Sequence, residues 1–79
     1  MIITKTIHSK KTGYKNQKEW DYSLPMPKAI EKINELAAKT QANNPSSTIQ
    51  HKGNNWIQVS TKNIWITYEV WGEFNVRDN

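Results

Sequence analysis

Hydrophobic and polar positions change period along this chain, and the changes mark its elements. Met1 to Ser9 is rich in β-formers, with Ile2, Ile3, Thr4, Thr6 and Ile7, and reads as a strand. Lys10 to Asn16 is a polar turn in which Gly13 is the residue suited to positive φ. From Lys18 to Leu24, Trp20, Tyr22 and Leu24 alternate with Glu19, Asp21 and Ser23, which predicts a second, half-buried strand and an N-terminal hairpin over residues 1–24. Its register is open, because Ile3 and Ile7 flank Lys5 on one face.

Pro25-Met26-Pro27 ends that strand, and Pro27 suits the first position of a helix. Over residues 27–42 the period becomes helical. Ala29, Ile30, Ile33, Leu36, Ala37 and Thr40 share one side, and Lys28, Glu31, Lys32, Glu35 and Lys39 share the other. Gln41 to Ser47 stops the helix and forms a loop.

The last third returns to period two. A two-residue turn at Lys62-Asn63 sets Ile57 opposite Tyr68, Val59 opposite Ile66 and Thr61 opposite Ile64 on an apolar face, which Val70 and Phe74 continue. The other face pairs Trp56 with Glu69, Gln58 with Thr67 and Ser60 with Trp65. Thr48 to Lys52 is a third strand. A turn at Gly53-Asn54-Asn55 brings Ile49 opposite Val59 and places His51 inward with Ile49. The whole chain, 1–79, is thus expected to be one α+β domain of order β-β-α-β-β-β, an antiparallel sheet with one helix on one face. Its core is expected from Ile30, Ile33, Leu36 and Ala37 of the helix against Ile49, Ile57, Val59, Ile64, Ile66, Tyr68 and Val70.

This register leaves Trp56, Trp65 and Trp71 on the face away from the helix, beside Gln58, Ser60, Thr67, Glu69 and Glu73. The chain has 4 tryptophans, so most of them sit where the helix does not. Three readings stay open. The aromatics form a partner-binding platform, they are buried in a homodimer through that face, or they pack across strands to stabilise a thin sheet, with or without the N-terminal hairpin as a cap. Glu69 and Glu73 would repel a phosphate backbone, which favours protein over nucleobases on this face.

Charge adds a second surface. The net charge is +4, from 11 basic and 7 acidic residues. Residues 1–18 hold Lys5, Lys10, Lys11, Lys15 and Lys18 without an acid, so the excess sits in the first hairpin. Lys10, Lys11, Tyr14, Lys15 and Lys18 are candidate contacts for phosphates or for an acidic protein groove, or else a solvated tip that aids solubility.

Little else points to chemistry. With no cysteine, disulfides, thiolate metal sites and thiol nucleophiles are excluded, and an intracellular protein is expected. His8 and His51 lack ligand spacing, and no metal or cofactor is expected. Phosphate-cradling glycine loops, a nucleophile elbow, RNP-type runs and paired carboxylates are all missing. No catalytic residue is assigned, and a non-enzymatic protein is expected. No run approaches the roughly 20 apolar residues of a membrane span, and no signal-peptide core follows Met1.

A short Lys/Asn/Ile-rich chain with a strand pair, a helix entered as Pro27-Lys28-Ala29-Ile30, and a hairpin carrying Asn55-Trp56-Ile57 and Ile64-Trp65-Ile66 resembles, in layout, some small phage-encoded anti-CRISPR proteins that inhibit type I effector complexes. The resemblance implies a stoichiometric inhibitor in the host cytoplasm that binds a host protein or nucleoprotein complex. The basic hairpin would then lie on or beside a nucleic-acid path. Many such proteins are acidic DNA mimics, and this basic chain departs from that subclass. A non-specific nucleic-acid-binding module and a homodimeric regulatory protein are the alternative readings.

Overall fold

The computed structural model describes residues 1–71, and of His51 the backbone alone; Phe74 and Glu73, assigned above to the two faces, lie outside the described residues. The elements are β1 (Ile2–Ser9), β2 (Lys15–Asp21), α1 (Met26–Asn43), β3 (Thr48–Lys52), β4 (Trp56–Ser60) and β5 (Ile64–Trp71). The strands form one antiparallel sheet of order β2-β1-β5-β4-β3. This is the expected α+β order. No described helix is long and apolar enough to cross a membrane.

The β4–β5 register is the one the pattern dictates. Trp56 pairs with Glu69, Ile57 with Tyr68, Gln58 with Thr67, Val59 with Ile66 and Ser60 with Trp65. The turn is held by Thr61. Its N–H donates to the Ile64 carbonyl at 2.9 Å, and its Oγ1 accepts from the N–H of Asn63 and of Ile64. β1 then pairs along the free side of β5, with Ile3 opposite Val70 and Ile7 opposite Ile66. The first hairpin therefore widens the sheet instead of folding over the tryptophans.

That placement resolves the face of β1. Ile3 is fully buried on the helix side and Ile7 packs against the same core. Lys5, between them, survives there by laying its stem along the sheet, with its ammonium 5.9 Å from the centre of the Tyr68 ring.

Helix α1 runs one residue beyond the expected 27–42 at each end. Its N-cap is Pro25, which supplies no side-chain cap, and its first turn has no acid and its last no base. The charged side pairs Lys28 with Glu31 and Lys32 with Glu35 on exposed surface, worth little each. Packing therefore holds this helix. Ala29, Ile33 and Ala37 are buried against Ile57, Val59, Ile66, Tyr68 and Val70, with Ile30, Leu36 and Ile64 at the margin. At the far end Asn44 Nδ2 donates to the Thr40 carbonyl at 2.9 Å, and the Ser47 hydroxyl donates to the Asn44 carbonyl at 2.6 Å.

Two expectations fail for reasons of position. Ile49 pairs with Val59 as expected but is 45% exposed, because α1 packs mainly on β4 and β5 rather than on the edge strand β3. A register shift between Ile49 and His51 sets the His51 backbone opposite Gln58; the inward place expected for its side chain lies outside what is described. The second strand begins at Lys15, earlier than expected, because Gly13 at φ 78° tightens the turn. It ends at Asp21, and all seven of its residues are exposed, Trp20 included at 38%. Tyr22, just past it, packs against the core under the Lys32 ammonium.

One hydrogen bond ties the two layers together. The Thr40 hydroxyl donates its single proton to the Leu36 carbonyl at 2.9 Å. Tyr68 must therefore be the donor in the 2.6 Å contact between its hydroxyl and Thr40 Oγ1. Tyr68 is 3% exposed, so this proton has no water to turn to. Tyr68→Phe is expected to cost about 1 kcal/mol, lowering the melting temperature by roughly 4–8 °C. Calorimetry on the variant checks this, and an unchanged midpoint would show that the bond contributes nothing.

A candidate interaction surface on the open sheet face

Alternation along each strand decides what the helix-free face carries. β1 contributes Ile2, Thr4, Thr6 and His8. In register with them, β2 contributes Asp21, Glu19, Gln17 and Lys15, and β5 contributes Trp71, Glu69, Thr67 and Trp65. β4 adds Trp56, Gln58 and Ser60. The face is thus a polar centre of threonines and Gln58, whose Nε2 donates to Thr67 Oγ1 at 3.1 Å, with tryptophans toward both ends.

The two ends differ in charge. At the His8 end, Trp65 is held between two neighbours. The His8 and Trp65 rings lie 5.1 Å apart at 58°, and the Lys10 ammonium stands 5.2 Å from the centre of the Trp65 ring. That ammonium also donates to Ser60 Oγ at 2.7 Å and to the Thr61 carbonyl. Lys10 is therefore a fixed positive charge, not a swinging one, because three separate contacts hold its head. Lys15 stands beside His8 in the next strand, and exposed Lys11 and Tyr14 occupy the turn.

At the Ile2 end the side-chain charges are acidic, with the Met1 ammonium 4.0 Å from Asp21 Oδ1. Glu19, Thr4 and Glu69 lie in one row across β2, β1 and β5, and Asp21 follows in the next row. Trp71 Nε1 donates to Thr4 Oγ1 at 3.3 Å, which roofs Thr4 and leaves it 3% exposed. Trp56 lies against the backbone of the β3–β4 turn, where a Cβ added to Gly53 would collide with its indole nitrogen. Partial burial pushes the Glu69 carboxyl above its ordinary value of 4.5.

The expected site residues thus fall into groups. Lys10, Lys15 and Trp65 come together at the basic end, with Lys11 and Tyr14 in the adjoining turn. Trp56 and Trp71 flank the acidic end. Lys18 does not join them: it pairs with Lys5 and so projects on the helix side. His8 was absent from the expected contacts, since its place beside Trp65 depends on the long-range β1–β5 pairing. The tryptophans are not a bare apolar platform, because Trp65 and Trp71 both make polar or charged contacts within the chain.

Elsewhere, a shallow cleft of about 280 Å³ is lined by Leu24, Lys28, Glu31, Lys32 and Glu35, whose charges are already paired along the helix. Among the described residues no three His, Asp or Glu side chains gather as a metal site would require. Compared with protein families, with curated proteins and with solved structures, the chain matches none.

Glu69 gives this surface a pH signature. Its raised folded pKa means the folded state holds the proton more tightly than the unfolded chain, so Glu69 opposes folding at neutral pH. That cost is relieved as pH falls through the raised value toward 4.5 and below. Glu69→Gln is expected to melt higher than the parent at neutral pH, with the difference shrinking toward acid. A lower melting temperature at neutral pH would reverse the assignment.

Proposed function

We propose that this protein acts by binding, as a phage or mobile-element inhibitor that docks on a host defence nucleoprotein complex of CRISPR type in the host cytoplasm. The supporting observation is the open sheet face, which carries a fixed cation over Trp65 at one end and Glu19, Asp21 and Glu69 at the other. A face divided in this way selects a partner of opposite layout and fixes its orientation. The anti-CRISPR-like layout supplies the class of partner.

Tagged type I effector complexes are expected to retain the protein on purification. Trp65→Ala combined with Lys10→Glu should weaken retention by at least about tenfold, as loss of a central aromatic and a charge does at interfaces. Retention by no effector, with interference unaffected in cells, would refute the proposal.

A second reading rests on the basic end. Lys11 and Lys15 beside the Lys10–Trp65 pair could hold a phosphate backbone directly. Free duplex would then bind with an affinity that falls steeply with salt, and Lys11→Ala with Lys15→Ala would lower the slope of log K on log salt by about two. Binding insensitive to salt excludes this reading.

A further inference from the structure

The two edges of the sheet are unlike. β3 is five residues long and its pairing is broken by a register shift, which discourages addition of another strand. β2 is seven residues long and exposed throughout, and its pairing with β1 is unbroken from Ile2–Asp21 to His8–Lys15. It contains no proline.

Hydrogen bonds at both ends of the hairpin fix which β2 groups point outward. Met1 and Tyr22 exchange both backbone bonds, and the Ser9 N–H donates to the Tyr14 carbonyl. Antiparallel pairs alternate, so residues 16, 18 and 20 bond to β1. Lys15, Gln17, Glu19 and Asp21 direct their N–H and C=O groups to the open edge.

We propose that β2 pairs antiparallel with β2 of a second copy of this chain about a twofold axis at Gln17, fusing two sheets into one. In this register Lys15 lies opposite the partner's Glu19, and Glu19 opposite the partner's Lys15. The two Gln17 side chains meet on the axis, where their amides can bond. Asn16 lies opposite the partner's Lys18. On the helix side Tyr14, 64% exposed, meets the partner's Trp20, 38% exposed in the single chain. These are two of the largest exposed apolar side chains described, and each finds an aromatic counterpart.

The neighbouring register, centred on Lys18, forms one more hydrogen-bonded pair but sets two lysines side by side on the axis in the closer, non-hydrogen-bonded type of pair. Centring on Gln17 opposes no like charges. Lysines on an edge ordinarily repel added strands; here the acids at the other end of β2 admit its own copy.

Sedimentation of the full chain from micromolar to millimolar concentration should show mass rising to that of a dimer. Gln17→Pro should remain folded, because that N–H faces outward, and should stay monomeric. Lys15→Glu and Glu19→Lys should each weaken the dimer about tenfold, and the two together should restore it. In the chain without cysteine, Gln17→Cys should form a disulfide-linked dimer on oxidation, since hydrogen-bonded partners lie about 5.5 Å apart at Cα.

A monomer at every concentration overturns the proposal. So does a dimer that persists in Gln17→Pro, which would place the contact on the charge-divided open face. A double variant that stays weak would mark the Lys18-centred register. If Gln17→Pro fails to fold, the charge exchange and the cysteine trap decide alone. None of these measurements depends on inhibition, so a failed defence partner leaves this inference standing, and a monomer that still inhibits removes only this inference.

Discussion

A helix about 10 Å across covers roughly two strands spaced about 4.8 Å apart, and the described residues hold one helix for a five-stranded sheet. That mismatch governs the rest of the structure. α1 takes β4 and β5, where Val59 and Val70 are fully buried beneath it. Ile49 on β3 is left half bare. On the other side β1 and β2 extend past the helix, and Trp20 is exposed even though it lies on the apolar side of the sheet. The opposite face has no second layer among the described residues.

The chain handles that face by giving its large side chains local partners. Trp65 is bracketed by His8 and Lys10, and Trp71 donates to Thr4. Such contacts let an antiparallel sheet meet water on one side. They also fix the charges, since Lys10 is held at Ser60, Thr61 and Trp65 at once. Internal packing and partner recognition are thus compatible on this surface: the contacts that steady the aromatics also set the pattern a partner would meet.

How much was legible in the sequence follows from the range of each interaction. The β4–β5 register could be read from alternation alone, because a two-residue turn locks both strands and one slip would expose Ile57, Val59 and Ile66. The core face of α1 was equally plain from the three-and-four spacing of Ala29, Ile33 and Ala37. The limits of β2 were hidden, because Trp20, Tyr22 and Leu24 alternate as one half-buried strand would, while only Tyr22 and Leu24, past its end and beside α1, are half buried. The site was half legible: Trp56, Trp65 and Trp71 were placed on the correct face, but His8 beside Trp65 and the turning aside of Lys18 both depend on β1 joining β5, a pairing that no local pattern encodes.

That β1–β5 pairing also orders events in time. It joins residues 2–9 to residues 64–71, the first described strand to the last. During synthesis the β1–β2 hairpin emerges early, and an isolated two-stranded hairpin is at best marginal in water. It must wait until β5 has left the ribosome before Ile3 finds Val70. The helix and the β3–β4–β5 meander make contacts closer in sequence, which favours their assembly before the N-terminal strand closes the sheet. A chain stopped before Ile64 would leave Ile3 and Ile7 without the β5 neighbours they pair with, so vectorial synthesis sets a delay between the making of β1 and its burial.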